Sequence, residues 1–284
     1  MKRLLVSVSL AIPLLASAAA LPQHSQLLEG AMASTAPAAG HRSKVVLADS
    51  IVRLVQEGVL DPQKIEALYA QRGGIPAALR QMMAEPSYRR IFLSRENANL
   101  YLNVLWPLGL ANRMAANSQS PLNGAALFGF ASTGGWNLGK KANGGVYFNK
   151  LAIVELTPAQ EAVVVQVAGR SFRPCCGNSA FFQDCNHGSA LLALLALGAS
   201  QGLTEDDLYR EALAFNAFWF PHHYAHTALY FKAARSLQWR DVDPREAMSA
   251  AYSSASGWET NVARELRRRG LVPEQGDASP DFSR

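Results

Sequence analysis

The sequence predicts a mainly α-helical, multi-helix globular domain packed around one buried apolar helix at about 187–200. Three observations carry that expectation. First, helix starts are punctuated along the chain. Asp61-Pro62, Thr157-Pro158-Ala159-Gln160, Thr204-Glu205-Asp206-Asp207 and Asp243-Pro244-Arg245-Glu246 each set a capping oxygen before a proline or an acidic first turn. Second, the stretch Gly188-Ser189-Ala190-Leu191-Leu192-Ala193-Leu194-Leu195-Ala196-Leu197-Gly198 is apolar or small on every side, as a central helix must be. Third, irregular structure is concentrated in one place. Seven glycines (124, 129, 134, 135, 139, 144 and 145) fall within 121–150, which reads as an irregular or short-strand segment.

The elements follow in order. Residues 1–20 read as a secretory signal. Lys2 and Arg3 precede the apolar run Leu4 to Leu15, and Ala16-Ser17-Ala18 and Ala18-Ala19-Ala20 are small-residue cleavage sites. Residues 21–43 are rich in Ala, Ser, Pro and Gly and read as a flexible leader. A single helical domain is expected over 44–272. Val45, Leu47, Ile51, Leu54 and Val55 suggest a first helix, stopped at Gly58. Helices are expected from Asp61 through Ala70, over 75–84, and over 94–114 with a kink or a break at Pro107-Leu108-Gly109. In the glycine-rich segment, short strands are expected at 127–131 and 146–148. Helices then run from Thr157 to about Arg170, over 187–200, from Thr204 to about Phe218, from Pro221 to about Ser236, and finally through Trp258 to Arg269. The tail 273–284 is expected to be disordered.

Charge narrows the partners. Cleavage after residue 20 removes Lys2 and Arg3 and no acid, so the formal charge falls from +5 to +3. No basic stripe marks one face, so nucleic acid is not an expected partner. The run Arg264-Glu265-Leu266-Arg267-Arg268-Arg269 reads as a solvated helix end with cations at its C-terminus. No stretch of the mature chain reaches the roughly 20 apolar residues of a membrane span. The expected location is periplasmic or secreted.

Function points to one loop. All three cysteines lie within Cys175-Cys176-Gly177-Asn178-Ser179-Ala180-Phe181-Phe182-Gln183-Asp184-Cys185, with His187 two residues on. Thiolate and imidazole are the soft ligands and nucleophiles of proteins. Because the loop runs directly into the buried helix, Cys185 is expected at that helix's N-terminus. There the helix dipole lowers a thiol's pKa and keeps His187 neutral. Cys175, Cys176, Cys185 and His187 together offer a Cys₃His set for zinc, or for copper(I). Asp184 is a candidate acceptor for a histidine N–H. His222 and His226, four apart on one helix face, are candidates for extra ligands. Three thiols in an oxidising compartment also allow one disulfide with a leftover thiol. A Cys185 bridge to Cys175 or Cys176 would contribute about 2–3 kcal/mol by stapling the loop. A strained Cys175–Cys176 bond beside a third thiol would instead support redox exchange.

Cys185 is also a candidate nucleophile, with His222, His223 or His226 as its base. Gln183-Asp184-Cys185, running into a small-residue apolar helix, resembles the active-site helix start of papain-like and bacteriocin-processing cysteine peptidases over about fifteen residues. The upstream glutamine and the strand-borne histidine of those peptidases have no counterpart here. Other motifs lead away from cofactors. Gly134-Gly135-Trp136-Asn137-Leu138-Gly139-Lys140-Lys141 has a phosphate-loop spacing, but Lys141 stands where a Ser or Thr would bind magnesium, and no nucleotide is expected. Aromatics from Phe215 to Phe231 read as core, and no C-x-x-C-H is present for covalent haem. The expectation is an exported protein with a metal-binding or thiol-redox site at 175–187. The alternatives are a cysteine hydrolase and a structural protein stapled by a disulfide.

Overall fold

The structure, a computed structural model, describes residues 17–273. Most of the expected signal sequence and nearly all of the expected tail lie outside these residues. Within them the protein is mainly α-helical, with one two-stranded sheet.

The first element is a helix rather than a flexible leader. α1 (Ser17–Thr35) presents Leu27, Leu28, Ala31 and Met32 to Ala225, Ala228 and Leu229 of α9 (Pro221–Arg235), with Val262 and Leu266 closing the cluster. These four apolar residues at i, i+1, i+4 and i+5 make a helical face, which a composition dominated by Ala and Ser conceals.

The chain then enters β1 (His41–Ala48), where a helix was expected, and α2 (Ser50–Gln56) follows. Ser43, Val45 and Leu47 are buried at every second position, the period of a strand. β1 pairs antiparallel with β2 (Ser87–Leu93), His41 opposite Leu93 and Val46 opposite Arg90. Helix side chains block β1's other edge: Gln201 brackets Val46 with bonds of 2.9 Å to its N–H and C=O. The buried carboxylate of Glu211 accepts the Lys44 N–H at 2.9 Å and lies 3.1 Å from His41 Nε2.

Burial pushes the Glu211 carboxyl up, but the hydrogen bonds from His41, Lys44 N–H and Ser43 outweigh it and hold it below its usual value. A depressed carboxyl contributes stability above its unfolded-state pKa and loses that contribution as pH falls through the folded value. Glu211→Ala is therefore expected to cost about 2–3 kcal/mol at pH 7, since it strands the donors of His41, Lys44 and Ser43. The gap from wild type should close as pH drops below about 4. Urea unfolding of both proteins at pH 7 and pH 3.5 checks this. A gap that stays constant with pH would sink it.

Between the strands lie α3 (Pro62–Ala70), capped by Asp61, and α4 (Ala77–Ala84). α5 (Ala98–Ala111) continues through Pro107 without a break. The glycine-rich segment holds no strand. The stretches expected as strands contain 3₁₀ turns at Leu127–Gly129 and Gly144–Tyr147. Elsewhere in the segment, backbone groups bond to other loops and not to a ladder: Lys140 N–H to Gly58 O at 2.8 Å, and Ser132 N–H to Asp184 O at 3.0 Å.

The helices after this match their local signals. α6 (Pro158–Arg170) opens on a complete capping box between Thr157 and Gln160. α7 (Asn186–Ser200) is buried from Gly188 through Ala199, enclosed by α5, α6 and α8 (Glu205–Trp219). α8 is capped by Thr204, and α9 starts on Pro221. The expected last helix is interrupted. α10 (Pro244–Ala247), α11 (Ala250–Ser253) and α12 (Ala255–Trp258) are single turns, and a wide π turn at Glu259–Ala263 leads into α13 (Arg264–Arg268).

The α5–α7 contact positions the site. An atom added at the Gly109 Cβ position would lie 1.8 Å from the Ser189 carbonyl oxygen, so the two backbones touch there. Ser189 Oγ donates to Trp106 O at 2.8 Å across the same contact. The first turn of α7 is thereby fixed against the core.

Candidate functional site

The loop between α6 and α7 is tied down on three sides. Ala180 N–H bonds Ser171 O at 2.8 Å, Ala255 N–H bonds Cys176 O at 2.9 Å, and Phe172 N–H bonds Met248 O at 2.8 Å. Beneath it, Asn216 Nδ2 donates to Phe172 O at 3.0 Å and to the buried Tyr224 hydroxyl at 3.2 Å. Tyr224 in turn meets Ser253 Oγ at 2.7 Å.

Cys185 is the N-cap residue of α7, as its position before the apolar run predicts. Its Sγ accepts the Gly188 N–H at 3.4 Å. Cys175 Sγ lies 3.4 Å from Cys176 Sγ, 3.8 Å from Cys185 Sγ and 4.0 Å from His187 Nδ1. The ligand atoms of Cys175, Cys185 and His187 all fall within 4.8 Å of one another, and so do those of Cys176, Asp184 and Cys185. A tetrahedral ion with metal–sulfur bonds of about 2.3 Å spaces its ligands about 3.8 Å apart. The Cys/His group has the right atoms at the right spacing to hold a metal ion.

All three cysteines are free thiols, so the expected disulfide is not formed. The sulfurs stand at contact distance, well beyond the roughly 2.05 Å of an S–S bond. Cys175 is exposed, whereas Cys176 and Cys185 are half-buried. His187 is walled by Phe220 and Trp219, with ring centroids 4.4 and 5.9 Å away.

No family model, curated protein or solved structure matches this chain. The chemistry of the site must therefore be argued from its own groups.

One group that sequence reasoning passed over organises the loop. The Arg173 side chain is fully buried. Its Nε donates to Cys185 Sγ at 3.3 Å, one terminal nitrogen to Asn178 O at 2.7 Å, and the other to Phe182 O at 3.2 Å and Asp184 Oδ1 at 2.6 Å. Asn178 Nδ2 donates to the second Asp184 oxygen at 2.7 Å. Asp184 therefore serves the guanidinium, not a histidine N–H as expected. The guanidinium lies against Gly188, where an added Cβ would meet it at 2.9 Å. That glycine at the start of α7 was the one sequence signal of a close approach.

The electrostatics favour one thiolate. Hydrogen bonds from Cys175 and Cys176 hold the Cys185 thiol well below its usual value, and Arg173 and the Gly188 N–H reinforce them against burial. Cys175 is driven far up by its bonds to Cys176 and Cys185 and by burial. For Cys176 the contact with Cys175 is lowering, but the bond to Cys185 and burial outweigh it and push the thiol up to about 12. Burial pulls His187 down to about 4, so its ring is neutral and has a nitrogen lone pair to give.

His222 and His226 do not join this group. His222 is exposed. Phe220 stands between His187 and His223, with centroids 4.4 and 6.1 Å from the two rings. His226 packs on Trp258 at 5.9 Å and faces His24 at 6.3 Å. Among the described residues, the imidazole that reaches the thiols is His187, so the α9 histidines are not placed to act as base for Cys185.

Proposed function

We propose that this is an exported protein whose 175–187 loop binds one zinc or copper(I) ion through Cys175, Cys176, Cys185 and His187. The observation that carries this reading is that Cys175 Sγ lies 3.4 to 4.0 Å from Cys176 Sγ, Cys185 Sγ and His187 Nδ1, with the ligand atoms of Cys175, Cys185 and His187 all within 4.8 Å of one another. Such a set has no core-packing purpose, and apolar residues would fill the space at less cost. The Cys185 thiol is held well below its usual value and burial pulls His187 down to about 4, so these two donors give up or lack a proton most readily. Cys175 and Cys176 must each lose a proton, and binding would therefore strengthen with pH. The exposed Cys175 marks the side from which an ion enters. Export rests on Lys2, Arg3, the Leu4–Leu15 run and the Ala-x-Ala sites. N-terminal sequencing of protein recovered from outside the cytoplasm should begin at Ala19 or Leu21.

Native mass spectrometry of protein purified without chelator tests the metal. The expected mass is that of the chain plus one zinc or copper, with all three thiols alkylatable after denaturation. A metal-free chain lighter by two hydrogens would replace this reading with a disulfide and a leftover thiol. Cys176→Ser and Cys185→Ser should each lower metal affinity by more than about 100-fold, the upper end of what losing a mere supporting partner costs.

One observation favours a second reading, thiol reactivity at Cys185. Its sulfur lies between the Arg173 guanidinium and the Gly188 N–H, and its thiol is held well below the usual value. Rapid alkylation of Cys185 at pH 6 in metal-free protein fits both readings. Alkylation that proceeds equally fast with the metal supplied would fit only the second.

A further inference from the structure

Away from the cysteine loop, α1 and α9 bring two histidines together from opposite ends of the chain. His24 lies on α1 and His226 on the second turn of α9. Their ring centroids are 6.3 Å apart, and their planes differ by 26°. The rings are near-parallel, and 6.3 Å lies toward the far end of the roughly 4.5–7 Å range of offset-stacked pairs, so ring contact alone contributes little here. Both Nε2 atoms are sealed from solvent, and neither has a hydrogen-bond partner. Buried polar atoms are ordinarily paired, so two unpaired imidazole nitrogens in neighbouring rings call for an explanation.

We propose that His24 and His226 form a second metal site, a two-imidazole clasp for copper(I) between α1 and α9. Two imidazoles meeting one ion end-on, with metal–nitrogen bonds of about 2 Å, place their centroids about 6 Å apart. Imidazole is a good ligand for copper. Among the described residues, no third His, Cys, Asp or Glu donor completes a group with this pair. Zinc and copper(II) take four or more ligands and are poorly served here. A monovalent d¹⁰ ion is satisfied by two neutral nitrogens in line. Trp258 closes the other side of His226 and also packs on His223, at 4.4 Å. Trp258, His223 and Phe220 separate the clasp from His187, so the two sites are distinct. The clasp joins two helices that meet through an apolar cluster of Ala, Leu and Met side chains, so an ion there would also pin α1 to the body of the protein.

The test is a titration of the full mature chain with copper(I), under reductant and without oxygen, against a chromophoric copper(I) chelator. The Cys175→Ser/Cys185→Ser variant removes the loop site. It is expected to retain one equivalent, whose X-ray absorption shows a two-coordinate shell of nitrogen and no sulfur. Adding His24→Gln or His226→Gln should weaken that equivalent at least tenfold, and His222→Gln should leave it unchanged. Because the double cysteine variant could unfold, the same histidine changes are also made in the wild-type chain. There each should remove one equivalent while sulfur-bound copper stays. A folded double variant that binds no copper(I), or histidine variants that keep every equivalent, would overturn the clasp. Either result leaves the loop site standing, and loss of sulfur-bound copper alone would count against the loop and not the clasp.

Discussion

Arg173→Met is expected to lower the unfolding free energy by about 3–5 kcal/mol and to cost the loop its metal affinity. The size follows from what the guanidinium does. It is fully buried, and it supplies donors to Cys185 Sγ, Asn178 O, Phe182 O and Asp184 Oδ1. Removing one partner of a buried charged network is among the costliest single changes, about 3–5 kcal/mol, because the partners remain desolvated. Here the damage is softened at Asp184, which keeps Asn178 and is 23% exposed, but not at the two carbonyls. The position of the cation matters as well. It sits against the first turn of α7, where the helix dipole is positive. A cation there needs anionic partners, and the Asp184 carboxylate at 2.6 Å and the acidified Cys185 sulfur at 3.3 Å supply them. Arg173 and the Cys185 thiolate therefore stabilise each other. Arg173→Lys keeps the charge but not the planar fork, so it should recover part of the stability and little of the loop geometry. Urea unfolding and metal content of the three proteins measure this. If the methionine variant matches wild type in midpoint and metal content, Arg173 is only filler.

Which parts of this were legible in the sequence depends on how local the cause is. Thr157, Thr204 and Pro221 fix their helix starts through bonds to the next three residues, and those starts were readable to the residue. The burial of α7 was readable because no face of it is polar. From that burial followed the place of Cys185 at its N-terminus. β1 was misread because Val45, Leu47, Ile51 and Leu54 satisfy a helical spacing, while the strand ends at Ala48 and a helix begins at Ser50. β2 carries Arg89 and Arg90 side by side and shows little alternation. α1 hid in an Ala- and Ser-rich composition, and its apolar face gains meaning only opposite α9. Arg173 itself gave no signal, since burying a cation is a decision of the whole fold, and Gly188 marked only that something approaches the helix closely there. The meeting of His24 with His226 likewise depends on how α1 lies across α9. The candidate ligands could be read from their crowding, but their mutual distances could not. A spacing of C-C-x₈-C-x-H becomes a compact set only because the loop doubles back through Ala180 and Ser171.

Gly109→Ala is the backbone counterpart of the Arg173 change and is expected to be as severe, about 3–5 kcal/mol. A methyl there would lie 1.8 Å from Ser189 O and 2.7 Å from the Ser189 carbonyl carbon. Both are main-chain atoms of a buried helix, so no flexible side chain can move aside. Overpacking a core costs typically about 1–3 kcal/mol, and more where only whole helices can yield. α5 and α7 would have to part by more than about 1 Å, given an ordinary carbon–oxygen contact of roughly 3.3 Å. That separation pulls on Ser189, whose Oγ bonds Trp106 O and whose N–H bonds Cys185 O at 3.0 Å. The N-cap sulfur would move with it, so metal affinity should fall together with stability. The proper comparison is Gly169→Ala, within α6, where an added Cβ meets nothing within 4 Å. That change should stabilise the protein by about 0.5–1 kcal/mol, as alanine does for glycine inside a helix. The two substitutions are chemically identical and both sit in helices, so propensity predicts the same gain for each. Unfolding free energies that differ by less than about 1 kcal/mol would mean the α5–α7 contact is loose. A difference of about 4 kcal/mol or more, with metal loss confined to the Gly109 variant, would show that this one missing side chain holds the cysteine loop in place.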